Sequence, residues 1–286
     1  MDPGVLNHRL TADERRRFER DGFLTIPDAV PAEMVDRLTA IVDRQYQHAL
    51  REGEATPDTA YERVDVVGLD PLLLELLDWP RTFPKVWDIL GWNISLFHSH
   101  LNVTPPSGAR DDQSGLWSWH QDNGRLNTDL QLRPVPRISV KLAYYLSDTS
   151  EPRRGNTYVV PGSHRSEEKP RTSDRDHLLE GATPLCCGPG SVALFDQRIW
   201  HTASPNDSEM VRKVIFLSYG FRWLRPMDRM LVEHLAAGCD PIRQQLLNIA
   251  VSYHHGISNR YWPVNDDVPL QHWLREHADT DTNASP

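Results

Sequence analysis

From about residue 94 the chain changes texture. Apolar residues spaced three and four apart give way to short alternating runs, cut apart by Gly, Pro and Asp. "ISLFHSHLNV" (94–103) sets the pattern, with His98, His100 and Asn102 on one face and Phe97, Leu101 and Val103 toward the other. Further strands are expected at 116–120, 137–147, 156–160, 191–196, 198–202 and 212–222. Upstream, 11–22 reads as a helix from a Thr cap to Gly22, "FLTIPDAV" as a short strand, and 31–50 as a helix opened by Pro31. "DPLLLELLDWPRTFPKVWDIL" adds two helical pieces broken at Pro80. Helices first and many short strands later imply a mostly β fold with flanking helices, a sandwich or closed jelly roll.

A chain of 286 residues with 39% apolar and 25% charged side chains can bury one large core. We expect a single domain, with helical decoration over 11–92, a jelly-roll core over 93–225 and a helical extension over 226–286. The net charge of −9 disfavours nucleic acid and anionic membrane as partners. With no apolar run of spanning length and no apolar leader, a cytoplasmic protein is expected, a monomer or homodimer acting on a small molecule. Three cysteines, two of them adjacent at 186 and 187, fit neither a disulfide framework nor a zinc site.

Within "LWSWHQDNGR", His120 and Asp122 stand two apart, a spacing that puts both side chains on one side of a strand. Alone the pair means little: with 13 histidines in the chain, roughly one such pair arises by chance, and His277 with Asp279 matches too. Context separates them. His201, in "DQRIWHTASPN", lies downstream of the first pair on a strand-like run, whereas no histidine follows His277. Two histidines and a carboxylate on one triangular face leave the remaining positions of an octahedron open, the arrangement of oxygen-activating non-haem iron sites. Further along, Arg212 opens the strand "RKVIFLSYGF", from which a guanidinium can grip a carboxylate through two parallel hydrogen bonds. The distal carboxylate of 2-oxoglutarate fits that description.

Taken together, these stretches resemble the phytanoyl-CoA dioxygenase family of iron(II)- and 2-oxoglutarate-dependent oxygenases. "DGFLTIPDAV", "WHQD", "GNTYVVPGSHR", "GSVALFDQRIWHTASPN" and "VRKVIFLSYGFRW" follow in the family's order across about residues 12–225. The resemblance implies a double-stranded β-helix, a cupin-like jelly roll, with iron(II) held by His120, Asp122 and His201. It implies 2-oxoglutarate chelating the metal while Arg212 takes its C5 carboxylate, with dioxygen as co-reactant. Gln121 matches a position that can touch the cosubstrate, or else faces outward. Many relatives carry Ser two after the last histidine; Ala203 stands here, so a hydroxyl to the cosubstrate comes from Thr202 or Ser204 or is absent. His100 is either a cosubstrate contact or a hydrogen-bonded core histidine. His164, in the "PGSH" turn, reads as structural.

The same resemblance implies oxidation of an unactivated C–H bond with release of succinate and carbon dioxide. Asp122 fills the position that related halogenases leave to chloride, which favours hydroxylation, or desaturation or cyclisation. The segments 105–117 and 123–136, without regular pattern, are candidate lids, and Trp117, Trp119, Arg125 and Arg137 candidate entrance residues. No basic cluster offers a coenzyme A handle, so a small metabolite or natural-product intermediate is expected. Two other readings remain: a cupin-like metalloenzyme that dispenses with 2-oxoglutarate, and a non-catalytic jelly-roll binding protein.

Overall fold

The computed structural model describes residues 1–107, 117–166, 168–173, 178–236, 238–249 and 268–278. Part of the expected lid loop, 108–116, and the tail with Asp279 lie outside the described residues.

Local chemistry sets the helical layer. In α1 (Ala12–Asp21) Thr11 and Glu14 form a reciprocal capping box, and Gly22 ends the helix in the left-handed region. After β1 (Phe23–Ile26) comes α2 (Ala32–Glu52), whose buried Met34, Leu38, Ile41 and Val42 form one apolar stripe. The short β2 (Tyr61–Val64) precedes α3 (Pro71–Leu74) and α4 (Phe83–Leu90). Next come β3 (Ile94–Thr104), α5 (Gly124–Leu130), β4 (Ser139–Tyr145), β5 (Thr157–Val159) and β6 (Thr183–Pro184). They are followed by β7 (Val192–Asp196), β8 (His201–Ala203), β9 (Arg212–Phe221), and then α6 (Glu233–Ala236), α7 (Pro241–Leu246) and α8 (Pro269–His277).

The strands form two antiparallel sheets, ordered β1-β7-β4-β9-β3-β2 and β6-β5-β8. The period of two sorts the side chains of the larger sheet. Val140, Leu142, Tyr144, Leu194, Ile215, Leu217 and Tyr219 face the helices, where Tyr144 and Tyr219 donate to the carbonyls of Leu76 and Leu77. Ala143, Tyr145, Ala193, Phe195, Val214 and Phe216 face inward, against Val159 and Leu185 from the other half of the roll. This two-sheet jelly roll with helices over its larger sheet is the expected fold.

Three expectations need correction. The N-terminal third is more than decoration, because β1 pairs with β7 and β2 with β3, extending the larger sheet at both edges. Of the strand expected at 116–120, the described residues 117–120 form a single bridge at His120, since the chain leaves the ladder at Asn123, whose φ is 59°. The segment 123–136 contains α5, a short helix between left-handed Asn123 and Gln131. Side-chain hydrogen bonds hold it in place of an apolar stripe: Asn127 donates to the Asp122 carbonyl and Thr128 to that of Gly124.

Candidate metal centre

His120 and His201 face each other across that bridge. Each backbone N–H donates to the other's carbonyl, at 3.0 and 2.9 Å, so the two imidazoles emerge on the same side with centroids 4.2 Å apart. Two residues on, Asp122 N–H donates to the Gln197 carbonyl at 2.8 Å, which returns the carboxylate to the same side. One ligand atom from each of the three side chains falls within 4.8 Å of the others. Nδ1 of His120 lies 2.7 Å from the Ser118 carbonyl and Nδ1 of His201 3.0 Å from that of Ile199. A proton on each Nδ1 satisfies those carbonyls and leaves both Nε2 lone pairs pointed at the shared space. Two imidazoles and one carboxylate on a common face suit a ferrous ion with open positions.

Burial lowers the His201 pKa to about 4, against the opposing pull of Asp122, so this imidazole is neutral at neutral pH. Burial works to raise the Asp122 carboxyl, but Lys141 and the two histidines outweigh it and hold it well below the carboxylate range. Lys141 is the residue sequence reasoning missed. Its ammonium, on the inward face of β4, lies 2.7 Å from both Asp122 oxygens and over the Phe195 and Phe216 rings. The available signal was a lone cation inside "SVKLAYY", whose other side chains are uncharged and mostly apolar or aromatic.

Arg212 lies deeper in the same interior, 3% exposed. Nη1 donates to Asn102 Oδ1 at 2.6 Å and Nη2 to Thr157 Oγ1 at 3.4 Å, while the buried Nε has no partner. Among the described residues no carboxylate lies within ion-pair distance of it, and burial pulls its pKa down. Gly155, with φ +71°, lets the backbone pass so close that a Cβ there would lie 3.3 Å from the Arg212 stem. Thr157 stands directly opposite Ala203 across the β5–β8 ladder, so a hydroxyl does face this space from the neighbouring strand. The hydroxyls expected from Thr202 and Ser204 do not: they donate to the carbonyls of Ala203 and Pro205.

Between metal ligands and arginine lies His100, stacked on Phe216 at 4.4 Å with its buried Nδ1 unpartnered. Burial, aided by Lys141 and His98, holds its pKa well below the ordinary value, so the ring is neutral. A cavity of about 200 Å³ opens beside the ligands, bordered by Glu62, His98, His100, Ser139, Lys141 and Ser218.

Other expected site residues lie apart from this cavity. Gln121 alternates to the opposite side, where its amide donates to the Arg198 carbonyl and borders a separate cleft with Arg165. Arg137 is an ion-pair hub with Glu19 and Asp196 rather than an entrance residue. Arg125 is exposed and pairs with Asp129 one helical turn away. Trp117 packs edge-on against Tyr158 and stacks with Trp119, and neither borders the cavity. His164 is structural: Nε2 lies 3.2 Å from the Glu19 carbonyl, and a Cβ on Gly22 would collide with its ring.

A jelly roll carrying a His-Asp-His face and a buried arginine in the same interior fits the class of iron- and 2-oxoglutarate-dependent oxygenases. Solved structures agree on the fold. HygX from Streptomyces hygroscopicus, crystallised with nickel and 2-oxoglutarate, matches with a TM-score of 0.60 at 18% identity, over 76% of this chain and 89% of that one. The nogalamycin carbocyclase SnoK matches at 0.57 and 18%, over 80% and 90%. The family model for Phytanoyl-CoA dioxygenase (PhyH) matches residues 18–214, and the chain belongs to that family. Relatives include the ectoine dioxygenase of Bordetella parapertussis, 26% identical over 76% of this chain and 77% of the relative. The uncharacterized protein Rv1501 of Mycobacterium tuberculosis is 44% identical over 78% and 80%. The chain is therefore an iron(II)/2-oxoglutarate dioxygenase acting on a small molecule, which removes the cupin-like and non-catalytic readings. No helix among the described residues is long and apolar enough to cross a membrane.

Proposed function

We propose that the protein hydroxylates an unactivated C–H bond of a small polar metabolite. Iron(II) is held by His120, Asp122 and His201, and 2-oxoglutarate is anchored at its C5 carboxylate by Arg212. The observation that carries this reading is a buried guanidinium that has no ionic partner among the described residues and shares the interior of the His-Asp-His cluster. An arginine with no counter-charge in a dry site is costly unless a ligand supplies the anion. Bound iron, with 2-oxoglutarate and dioxygen, supplies the oxidising equivalent that takes a hydrogen atom from substrate.

The protein's own part is orientation and polarity. The Ser118 and Ile199 carbonyls fix the tautomers of the two histidines, and Lys141 keeps Asp122 ionised. Asn102 and Thr157 aim the guanidinium, and His100 presents a neutral ring between anchor and metal. Phe195 and Phe216 line the inner wall and limit water. The polar groups on the cavity border favour a polar substrate over a long acyl chain, and a HygX structure has nickel, 2-oxoglutarate and hygromycin B bound.

Succinate release, assayed over a panel of amino acids, amino sugars and secondary metabolites with product mass analysis, tests the proposal. A product 16 Da heavier is expected for hydroxylation (about one oxygen atom, transferred by the cofactor chemistry). A product lighter by two hydrogens would replace hydroxylation with desaturation or cyclisation. Succinate release that survives Arg212→Ala unchanged would refute the anchor.

A further inference from the structure

The border of the metal cavity divides into polar groups already engaged and polar groups left open. Lys141 is committed to Asp122. Asn123 donates to the Ser139 hydroxyl at 2.9 Å, and the ligand histidines keep their Nε2 atoms for the metal. The His100 ring and the Ser218 hydroxyl line the wall, and on the same border His98 and Glu62 stay open among the described residues.

His98 is held from behind. Its Nδ1 lies 2.7 Å from Oδ1 of Asp228, whose side chain is 1% exposed. The other carboxylate oxygen, Oδ2, accepts from Ser99 N–H at 2.8 Å and from the Ser99 hydroxyl at 2.5 Å. Asp228 thus accepts three hydrogen bonds, one of them from His98 Nδ1, an arrangement that in the neutral ring leaves Nε2 as an acceptor. Stacking on His100 at 4.9 Å and 27° fixes the ring plane. Glu62 sits on β2 directly across from Asn102, on the same face as His98 and His100. Its exposed carboxylate makes no ion pair or side-chain hydrogen bond among the described residues.

We infer that the prime substrate is bound as a hydrogen-bond donor, through an amine or hydroxyl group received by His98 Nε2 and the Glu62 carboxylate. This rests on the oxygenase reading of the same site. His98 and Glu62 are both acceptors, and the cation in the cavity is already paired, so a carboxylate or phosphate placed against them would meet repulsion and an acyl thioester no matching contact. Asp228 is a positioning residue: it acts on substrate only through the tautomer and orientation of His98.

The test uses the full chain with iron(II) and 2-oxoglutarate under anaerobic conditions, reading the visible charge-transfer band. Probes are cyclitols, amino sugars and diamines, set against dicarboxylic acids and short acyl thioesters. Amine or polyol probes are expected to shift the band saturably, the others not. Glu62→Gln, an exposed change that cannot unfold the chain, and His98→Phe, which keeps the stack, should each weaken the responding probe at least about tenfold relative to 2-oxoglutarate. In Asp228→Asn the Ser99 donors hold the amide oxygen, its NH2 faces His98 Nδ1, and the ring proton moves to Nε2. Nitrogen NMR of the imidazole should report that switch together with the weaker probe binding. Acids or thioesters shifting the band, no donor shifting it, or unchanged donor affinity in Glu62→Gln and His98→Phe would overturn the inference. Absence of any band with 2-oxoglutarate would instead bring down the oxygenase reading itself.

Discussion

Arg212 and Arg137 are both sheltered arginines, and the difference between their surroundings separates function from architecture. Arg137 donates to Glu19 through both terminal nitrogens and to Asp196 through Nε at 2.7 Å, with its guanidinium over the Phe18 ring. Arg198 supplies a second cation to Asp196, so this cluster is closed among protein groups and ties α1 to β7 and to the segment that leads into β4. Among the described residues Arg212 meets only neutral oxygens, and one buried nitrogen meets nothing. Closed networks hold a fold together; a buried donor set that is incomplete waits for a ligand.

That comparison is broken most severely by exchanging what each arginine can lose. Under the proposed reading, Arg212→Ala removes a bidentate charged contact to 2-oxoglutarate, about 3 kcal/mol or roughly 100-fold or more in its Kd. Because no protein carboxylate loses its partner, the urea midpoint of the metal-free chain should not fall. Equal losses of stability and affinity would mean that Arg212 is architectural after all.

Asp196→Asn should do the converse, costing about 2 kcal/mol in urea unfolding while the Kd for 2-oxoglutarate holds. The pH dependence follows from its titration. Burial alone would raise the Asp196 pKa, but Arg198 and Arg137 outweigh it and lower it below the ordinary value. The folded carboxylate thus binds its proton less readily than the unfolded one. Its stabilising contribution is complete above the unfolded pKa of about 3.9 and disappears as pH falls through the lower folded value. The difference in stability between native chain and variant should therefore shrink below about pH 4, and a constant difference across that range would contradict the ionised cluster.

What the sequence made legible follows the same division. His120, Asp122, His201 and Arg212 could be read because each lies on a strand or strand end where the period of two sets its direction, and because they occur in an ordered pattern. Helix ends were legible where the chemistry is local, as in the Thr11–Glu14 box and at Gly22. Gln121 follows from the same period: flanked by two ligands on one face, it points to the other. Lys141, Thr157 and Asp228 were not found, since their roles depend on partners from distant strands. Lys141 lies against Asp122 only because the turn after His120 folds over β4, and the Thr157 hydroxyl faces Arg212 only through the register that sets Thr157 opposite Ala203. Arg137 was misassigned for the same reason, as its partners come from α1 and β7.

The smallest effect sharpens the comparison from the backbone side. Gly155 combines a left-handed φ of +71° with contact to the Arg212 stem, and the Arg137 cluster has no such glycine against it among the described residues. Gly155→Ala forces a β-carbon into a conformation that favours glycine, costing about 1 kcal/mol, and presses on the Arg212 side chain at 3.3 Å. If the open arginine is an anchor whose aim matters, the Kd for 2-oxoglutarate should rise a few-fold, beyond what the lost stability explains, while the urea midpoint moves only slightly. If affinity is untouched and only stability falls, the close approach of backbone to Arg212 is packing alone, and Asn102 and Thr157 set its direction without help.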